Sequence, residues 1–157
     1  MNRRNSWKTA FLGLIVCALA ACQQRAAFSH YEPVSIDGWD REDTVQFMLG
    51  PIVEGNVFCE TLGLRASQAF PFMNLSLIVE QEAIPSGLVR CDTINIPIID
   101  TDGIPIGKGI NHFQYDIALN DITLLTGESL FISIRHNMKR EYLPGITDVG
   151  LTLTKQP

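Results

Sequence analysis

The chain has 157 residues, of which 46% are hydrophobic and 18% charged, a composition typical of one globular domain rather than a disordered or coiled-coil chain. The formal net charge is −5. Without Met1–Ala21, 9 basic residues remain against 17 acidic ones, a net charge of −8. Such an acidic body lacks the positive surface that nucleic-acid phosphates require, and anionic lipid would repel it. The composition therefore excludes a nucleic-acid partner, and membrane attachment must depend on something other than charge.

The first residues have the layout of an export signal. Arg3, Arg4 and Lys8 precede an apolar stretch over residues 11–21 that ends in small residues. This stretch would rise only about 18 Å as a helix, which is short for a hydrocarbon core of about 30 Å. The pattern therefore favours an export signal over a spanning helix.

The end of this stretch, Leu19-Ala20-Ala21-Cys22, resembles the lipobox of bacterial lipoproteins. The resemblance implies a signal peptide over residues 1–21, a Cys22 that carries diacylglyceryl and acyl chains such as palmitate, and a tether over residues 22–28. Several acyl chains hold a protein to a membrane almost permanently. Gln23 and the lack of a following acidic run indicate the outer membrane, on its periplasmic side. Ordinary secretion, with Cys22 merely near the cut, is the alternative.

The rest of the chain is predicted to form strands, because apolar residues alternate with polar ones in seven runs and helical periodicity is almost absent. Each such strand has one apolar face, and a second sheet must cover it. We therefore expect residues 29–157 to form a single antiparallel β-sandwich, jelly-roll-like or immunoglobulin-like. Pro97 predicts an edge strand or a strand with a bulge, since proline cannot donate to a ladder. The apolar positions are Val45, Phe47, Leu49; Phe58, Leu62, Leu64; Leu75, Leu77, Val79; Ile94, Ile96, Ile98; Phe113, Tyr115, Ile117, Leu119; Leu130, Ile132, Ile134; and Val149, Leu151, Leu153.

The sequence offers little for catalysis or metal binding. The three histidines are far apart in the chain, and neither a Gly-x-Ser-x-Gly nor a His-Glu-x-x-His motif occurs. Asp100-Thr101-Asp102-Gly103 resembles the start of a calcium loop, but Gly109 stands where the bidentate glutamate should be. We therefore interpret this segment as a turn, and predict no catalytic residue, no metal and no cofactor.

Cys59 and Cys91 are the two thiols that remain when Cys17 leaves with the signal and Cys22 is acylated. In an oxidising periplasm they could form a disulfide, which would stabilise the fold by roughly 3–4 kcal/mol on the loop-entropy model. Two separate buried thiols are the alternative.

Three aromatic residues could serve binding. Trp39 precedes an acidic cluster, and Phe70 and Phe72 stand just before a predicted strand. Exposed rings could stack on a sugar or receive a partner protein. Alternatively, all three rings close the ends of the sandwich.

Taken in order, several short segments resemble the gliding-motility lipoprotein GldH family, and the resemblance covers essentially the whole chain. It implies an outer-membrane lipoprotein that has no known catalytic residues and is required in gliding bacteria for a surface motility tied to protein secretion. The family usually has a tryptophan-containing segment where this chain has residues 103–110. The matching segments are Phe28-Ser29-His30-Tyr31, Trp39 with Asp43-Thr44-Val45, Leu64-Arg65, Phe70-Pro71-Phe72 with Asn74-Leu75, Asp92-Thr93, Leu143-Pro144-Gly145-Ile146 and Asp148-Val149-Gly150.

Two functions follow as hypotheses. The first is a non-catalytic accessory lipoprotein that binds envelope or secretion-machinery proteins, with Trp39, Arg65, Phe72, Asn74 and Asp148 as candidate contacts. In this first hypothesis, the Arg65 guanidinium could hold a carboxylate from another strand through two hydrogen bonds. The second is a glycan-binding module that uses Trp39 and Phe72, by analogy of fold alone.

Overall fold

The computed structural model describes residues 26–156, and the predicted lipidation site Cys22 lies outside them. The described part consists of strands, turns and loops and contains no helix, hence none that could cross a membrane. The strands are β1 (Ala26–Pro33), β2 (Trp39–Asp40), β3 (Val45–Leu49), β4 (Asn56–Ser67), β5 (Asn74–Ile84), β6 (Leu88–Pro97), β7 (Lys108–Gly109), β8 (His112–Ala118), β9 (Ile122–Leu124), β10 (Ser129–His136), β11 (Tyr142–Leu143) and β12 (Ile146–Lys155).

Two antiparallel sheets form the body of the protein. The larger sheet has the order β1-β12-β4-β8-β7, with β9 also paired to β4. The smaller sheet has the order β3-β10-β5-β6, and β11 and β2 form a separate short ribbon. The predicted all-β fold is therefore confirmed, and the arrangement is consistent with a sandwich.

The core lies between the two sheets and is built from the alternating positions of the long strands. In β10, Leu130, Ile132 and Ile134 are buried, whereas the residues between them are only partly covered. The same alternation holds along β3, β5 and most of β12, so the predicted inner faces are confirmed. The exceptions are Ile94, Ile117 and Leu119, which pack on the core while remaining partly exposed.

One edge strand of each sheet, β6 and β1, tests a prediction made from the sequence. β6 is the last strand of the smaller sheet and ends at Pro97, so the predicted edge position is confirmed. β1 is the corresponding edge of the larger sheet. It begins at Ala26, inside the segment 22–28 predicted as a tether, and pairs with β12 from Ala26 to Pro33. The paired part of the chain therefore starts before the predicted domain boundary at residue 29.

The two cysteines of the described chain are free thiols, so the disulfide considered between Cys59 and Cys91 is not present. Cys59 follows the inward-facing Phe58 on β4, so its side chain projects outward from the outer face of the larger sheet. Cys91 is exposed on β6 and lies opposite Glu80, on the outer face of the smaller sheet. Packed sheets are about 10 Å apart, whereas a disulfide needs Cβ atoms about 3.8 Å apart. These two thiols therefore cannot meet in this fold.

Candidate functional site: a tyrosine patch on the larger sheet

The outer face of the larger sheet carries a row of side chains from four neighbouring strands. Tyr31 on β1 lies opposite Gly150 on β12, which lies opposite Gly63 on β4 and then Asp116 on β8. In the adjacent row on the same face, Asp148 lies opposite Arg65. We call Tyr31, Gly63, Arg65, Asp148 and Gly150 the tyrosine patch.

The tyrosine ring lies flat on the backbone because both residues beneath it are glycines. A Cβ atom on Gly63 would stand 2.2 Å from the phenol oxygen, and one on Gly150 would stand 2.5 Å from ring atom Cε1. The Arg65 guanidinium covers the ring, with its central carbon 4.1 Å from the ring centroid. Such a cation–π contact fixes the arginine plane on the exposed face of the sheet.

The patch combines one aromatic and two opposite charges. Arg65 Nη1 is 3.9 Å from Asp148 Oδ1, and the Arg65 side chain is 44% exposed. The predicted carboxylate across the strands from Arg65 is thus present, but the contact is a single long one and not bidentate. Burial and the negative charge of Asp116 raise the pKa of Tyr31, so its phenol remains a neutral hydrogen-bond donor at physiological pH. Together, these groups can stack and hydrogen-bond to a partner surface.

Replacement of Gly150 with alanine is expected to lower the free energy of unfolding by about 1–3 kcal/mol, because the new methyl group displaces the Tyr31 ring. The same change in a Tyr31→Ala background should cost much less, since the space above Gly150 is then empty. Urea denaturation of the four proteins of this double-mutant cycle measures the coupling. Equal costs in the two backgrounds would show that the ring does not rest on Gly150.

Trp39 is not available as a surface contact. It is only 1% exposed, its indole N–H donates to the Asp43 carbonyl at 3.1 Å, and its ring packs edge-on against buried His136. The hypothesis that Trp39 meets a sugar or partner is therefore corrected in favour of the alternative, a ring that closes one end of the core. Burial also lowers the pKa of His136, which keeps this imidazole neutral.

The other aromatic positions divide between core and surface. Phe70 is buried, and half-buried Phe72 packs edge-on against it at 5.6 Å. Asn74 is exposed where β5 begins, opposite Pro97. Neither Phe72 nor Asn74 is part of the tyrosine patch, so the five predicted contact residues do not form one site. Arg65 and Asp148 are the pair that the fold brings together.

A buried polar cluster inside the sandwich was not predicted from the sequence. The Glu60 side chain is fully buried on the inner face of β4, and both of its oxygens accept from Gln81 Nε2 at 2.9 Å. Arg90 on β6 also donates to Glu60, and to the carbonyls of Asn120 and Asp121 at 3.0 Å. The detectable signal was a carboxylate on the same strand face as Phe58, Leu62 and Leu64.

Burial raises the pKa of Glu60, although the hydrogen bond from Gln81 and the charge of Arg90 oppose this rise. A carboxylate this deep in a protein lowers the stability of the fold unless it is paired with a cation. Arg90 supplies that cation. Over residues 26–156, the structure contains no group of three or more His, Cys, Asp or Glu side chains placed to hold a metal ion.

The described residues thus define an all-β protein of two antiparallel sheets, with a polar and aromatic patch on the outer face of the larger one. Residues 26–153 match a family model described as GldH lipoprotein, so the chain belongs to the GldH lipoprotein family. It is 28% identical to the gliding motility lipoprotein GldH of Flavobacterium johnsoniae, with 99% of each chain covered. It is 24% identical to a GldH homologue of Christiangramia forsetii, with 97% of this chain and 98% of the relative covered.

Similarity to solved structures is weak. The chain overlays on 18% of a GH115 4-O-methyl-α-glucuronidase with 11% identity and a TM-score of 0.46, covering 87% of this chain. This likeness is too low to bear on function. The family resemblance predicted from the short segments is confirmed by the family match.

Proposed function

We propose that this protein is a non-catalytic accessory lipoprotein of the gliding and secretion machinery, which binds another envelope protein through the tyrosine patch. Lipid chains on Cys22 would hold it in the outer membrane, with the body in the periplasm. The name of the F. johnsoniae relative, a gliding motility lipoprotein that aligns over 99% of both chains, supports the motility setting.

One observation supports the patch as the contact surface. Three of the segments on which the family resemblance rests, Phe28–Tyr31, Leu64-Arg65 and Asp148–Gly150, lie on three neighbouring strands. Two of them meet in the Arg65–Asp148 pair, and the third supplies the ring beneath the arginine. Arginine and tyrosine are also the side chains that most often anchor protein interfaces. The glycan alternative loses its main support, because Trp39 is buried.

The proposal is tested by comparing in-cell crosslinking with and without the Arg65 side chain. A photo-crosslinking residue at Gln114, next to Arg65 in the sheet, should capture an envelope protein in living cells. The Arg65→Ala change should reduce that product about tenfold or more, since removal of an interface anchor typically costs over 1.4 kcal/mol.

Arg135→Ala is the matched control. Arg135 is 41% exposed, faces one carboxylate, Glu80, at 3.5 Å, and lies on the other sheet. This change should leave the crosslinked product intact. An equal yield from the Arg65 and Arg135 variants would place the contact elsewhere. Separately, palmitate labelling that persists after Cys22→Ala would contradict the proposed anchor.

A further inference from the structure

Three chain reversals lie at the end of the sandwich where β1 begins. They are residues 50–55 between β3 and β4, residues 84–88 at the tip of the β5–β6 hairpin, and residues 125–128 between β9 and β10. The pairing of β1 with the end of β12, and of β9 with the start of β4, places these reversals together with Ala26 at one end of the fold. We call the three reversals and Ala26 the entry end.

The entry end is held together by backbone hydrogen bonds. The Ile52 amide donates to the Glu128 carbonyl, and the Gly127 amide donates to the Ile52 carbonyl, both at 2.7 Å. Ala27 of β1 and Val53 line one surface groove, so the start of the chain and the first reversal are neighbours. The entry end is therefore one connected surface rather than three separate loops.

Large apolar side chains project into solvent from all three reversals. Val53 is 91% exposed and Leu125 is 62% exposed, and Ile84 and Leu88 are exposed on either side of the hairpin tip. Single exposed apolar residues are ordinary, but a cluster of them on one surface marks a site of contact with a protein or a membrane.

Charge separates the two ends of the sandwich. The three reversals contain two acidic residues: Glu54 accepts from Lys155 Nζ at 2.9 Å, and Glu128 is buried and accepts from the Leu125 amide at 2.7 Å. The opposite end also exposes apolar side chains, but the segments 34–44 and 98–111 give it six acidic residues. An unpaired charge strongly opposes transfer out of water, so the entry end is the one suited to an apolar medium. The six are Asp37, Asp40, Glu42, Asp43, Asp100 and Asp102.

The length of chain before β1 indicates what covers the entry end. Cys22 precedes Ala26 by four residues, which span at most about 14 Å when extended. Acyl chains on Cys22 would therefore hold the entry end at the surface of the bilayer that contains them. The acidic body favours zwitterionic over anionic lipid there.

We propose, on the basis of the anchor proposed at Cys22, that the entry end docks on the surface of a zwitterionic bilayer, with Val53 and Leu125 inserted among the acyl chains. Tyr31 lies five residues beyond Ala26 on β1, so this docking would hold the tyrosine patch about 16 Å above the start of the strand. The patch would then stay free for a protein partner.

The test is fluorescence quenching in the full lipidated chain, extracted from membranes and reconstituted in phosphatidylcholine vesicles. Val53→Trp and Leu125→Trp place reporters at the entry end, and the matched control Ile36→Trp replaces a side chain that is 99% exposed at the opposite end. Buried Trp39 gives all variants the same background. Lipid with brominated acyl chains quenches tryptophan on contact. Since interfacial groups lie about 5–10 Å deep, we expect about a twofold loss of reporter emission at positions 53 and 125 and none at position 36.

Flotation of the parent protein with the vesicles checks the anchor separately. A parent that does not float would contradict the lipid chains on Cys22, and with them the basis of the docking. A parent that floats while positions 53 and 125 stay unquenched would overturn the docking alone. Equal quenching at position 36 would also overturn it, because the body would then have no preferred end toward the bilayer.

Discussion

Replacement of Arg90 with methionine should lower the free energy of unfolding by about 3–5 kcal/mol at pH 7, because it leaves the Glu60 carboxylate buried without its cation. Gln81 alone would then remain as a side-chain donor to Glu60. Urea denaturation monitored by tryptophan fluorescence measures this loss.

The pH dependence of that loss has a definite sign. Burial already raises the pKa of Glu60, and removal of the opposing Arg90 charge raises it further in the folded state. A group with a raised pKa contributes stability that is fully present below its ordinary pKa and is lost as the pH rises through the folded value. The Arg90→Met protein should therefore be closest to the parent in mild acid, and fall behind it toward neutral pH.

An exposed ion pair supplies the control. Arg135→Met removes the partner of Glu80, whose side chain is 48% exposed, and should cost less than about 1 kcal/mol. The double change Glu60→Gln with Arg90→Met should recover part of the stability at pH 7, because no buried charge then remains at this position. Equal losses from the Arg90 and Arg135 changes would mean that Glu60 is not an unpaired buried charge in the variant.

Replacement of Gly145 with alanine should destabilise the protein by about 2–5 kcal/mol, through both backbone strain and collision. Gly145 has φ +85, and a Cβ atom there would stand 2.3 Å from the backbone nitrogen of Phe70. Its carbonyl also accepts from Ser67 N at 2.7 Å, so the turn before β12 is fixed against the end of β4. Calorimetric or urea-induced unfolding should show the loss.

Gly127 separates the two contributions. Its φ of +88 is nearly that of Gly145, but nothing lies within 4 Å of an added Cβ atom. Gly127→Ala should therefore cost only the left-handed strain, about 1–2 kcal/mol. If both alanine variants lost the same stability, the close packing of Gly145 against Phe70 would have no energetic weight.

Local patterns were sufficient to predict the seven longer core strands, β3 to β6, β8, β10 and β12, and most of their inner faces. Leu75, Leu77 and Val79 alternate with polar residues in the sequence, and all three are buried on β5. This works because side chains on a strand alternate between faces whatever the strand pairs with. β1 was not predicted, since it is an edge strand whose exposed and half-buried residues give no regular alternation.

The candidate sites depend on pairing between distant parts of the chain, which alternation does not encode. Tyr31 covers Gly63 and Gly150 only because β1, β12 and β4 pair in one register. Similarly, Glu60 is tolerated among apolar residues because Gln81 and Arg90 from the opposite sheet reach it. The sequence marked Arg65 and Asp148 as contacts, but it could not show that an aromatic ring would lie beneath the arginine.

The placement of β1 has a mechanical consequence. Ala26 pairs with Thr154 at one end of the strand, and Pro33 pairs with Asp148 at the other, about 23 Å away. A pull on the start of β1, resisted by a partner held at Arg65 and Asp148, would run along the strand. The hydrogen bonds between β1 and β12 would then be loaded together in shear, instead of opening one after another like a zipper. This pairing would then carry tension between the first strand and the surface at the far end of that strand.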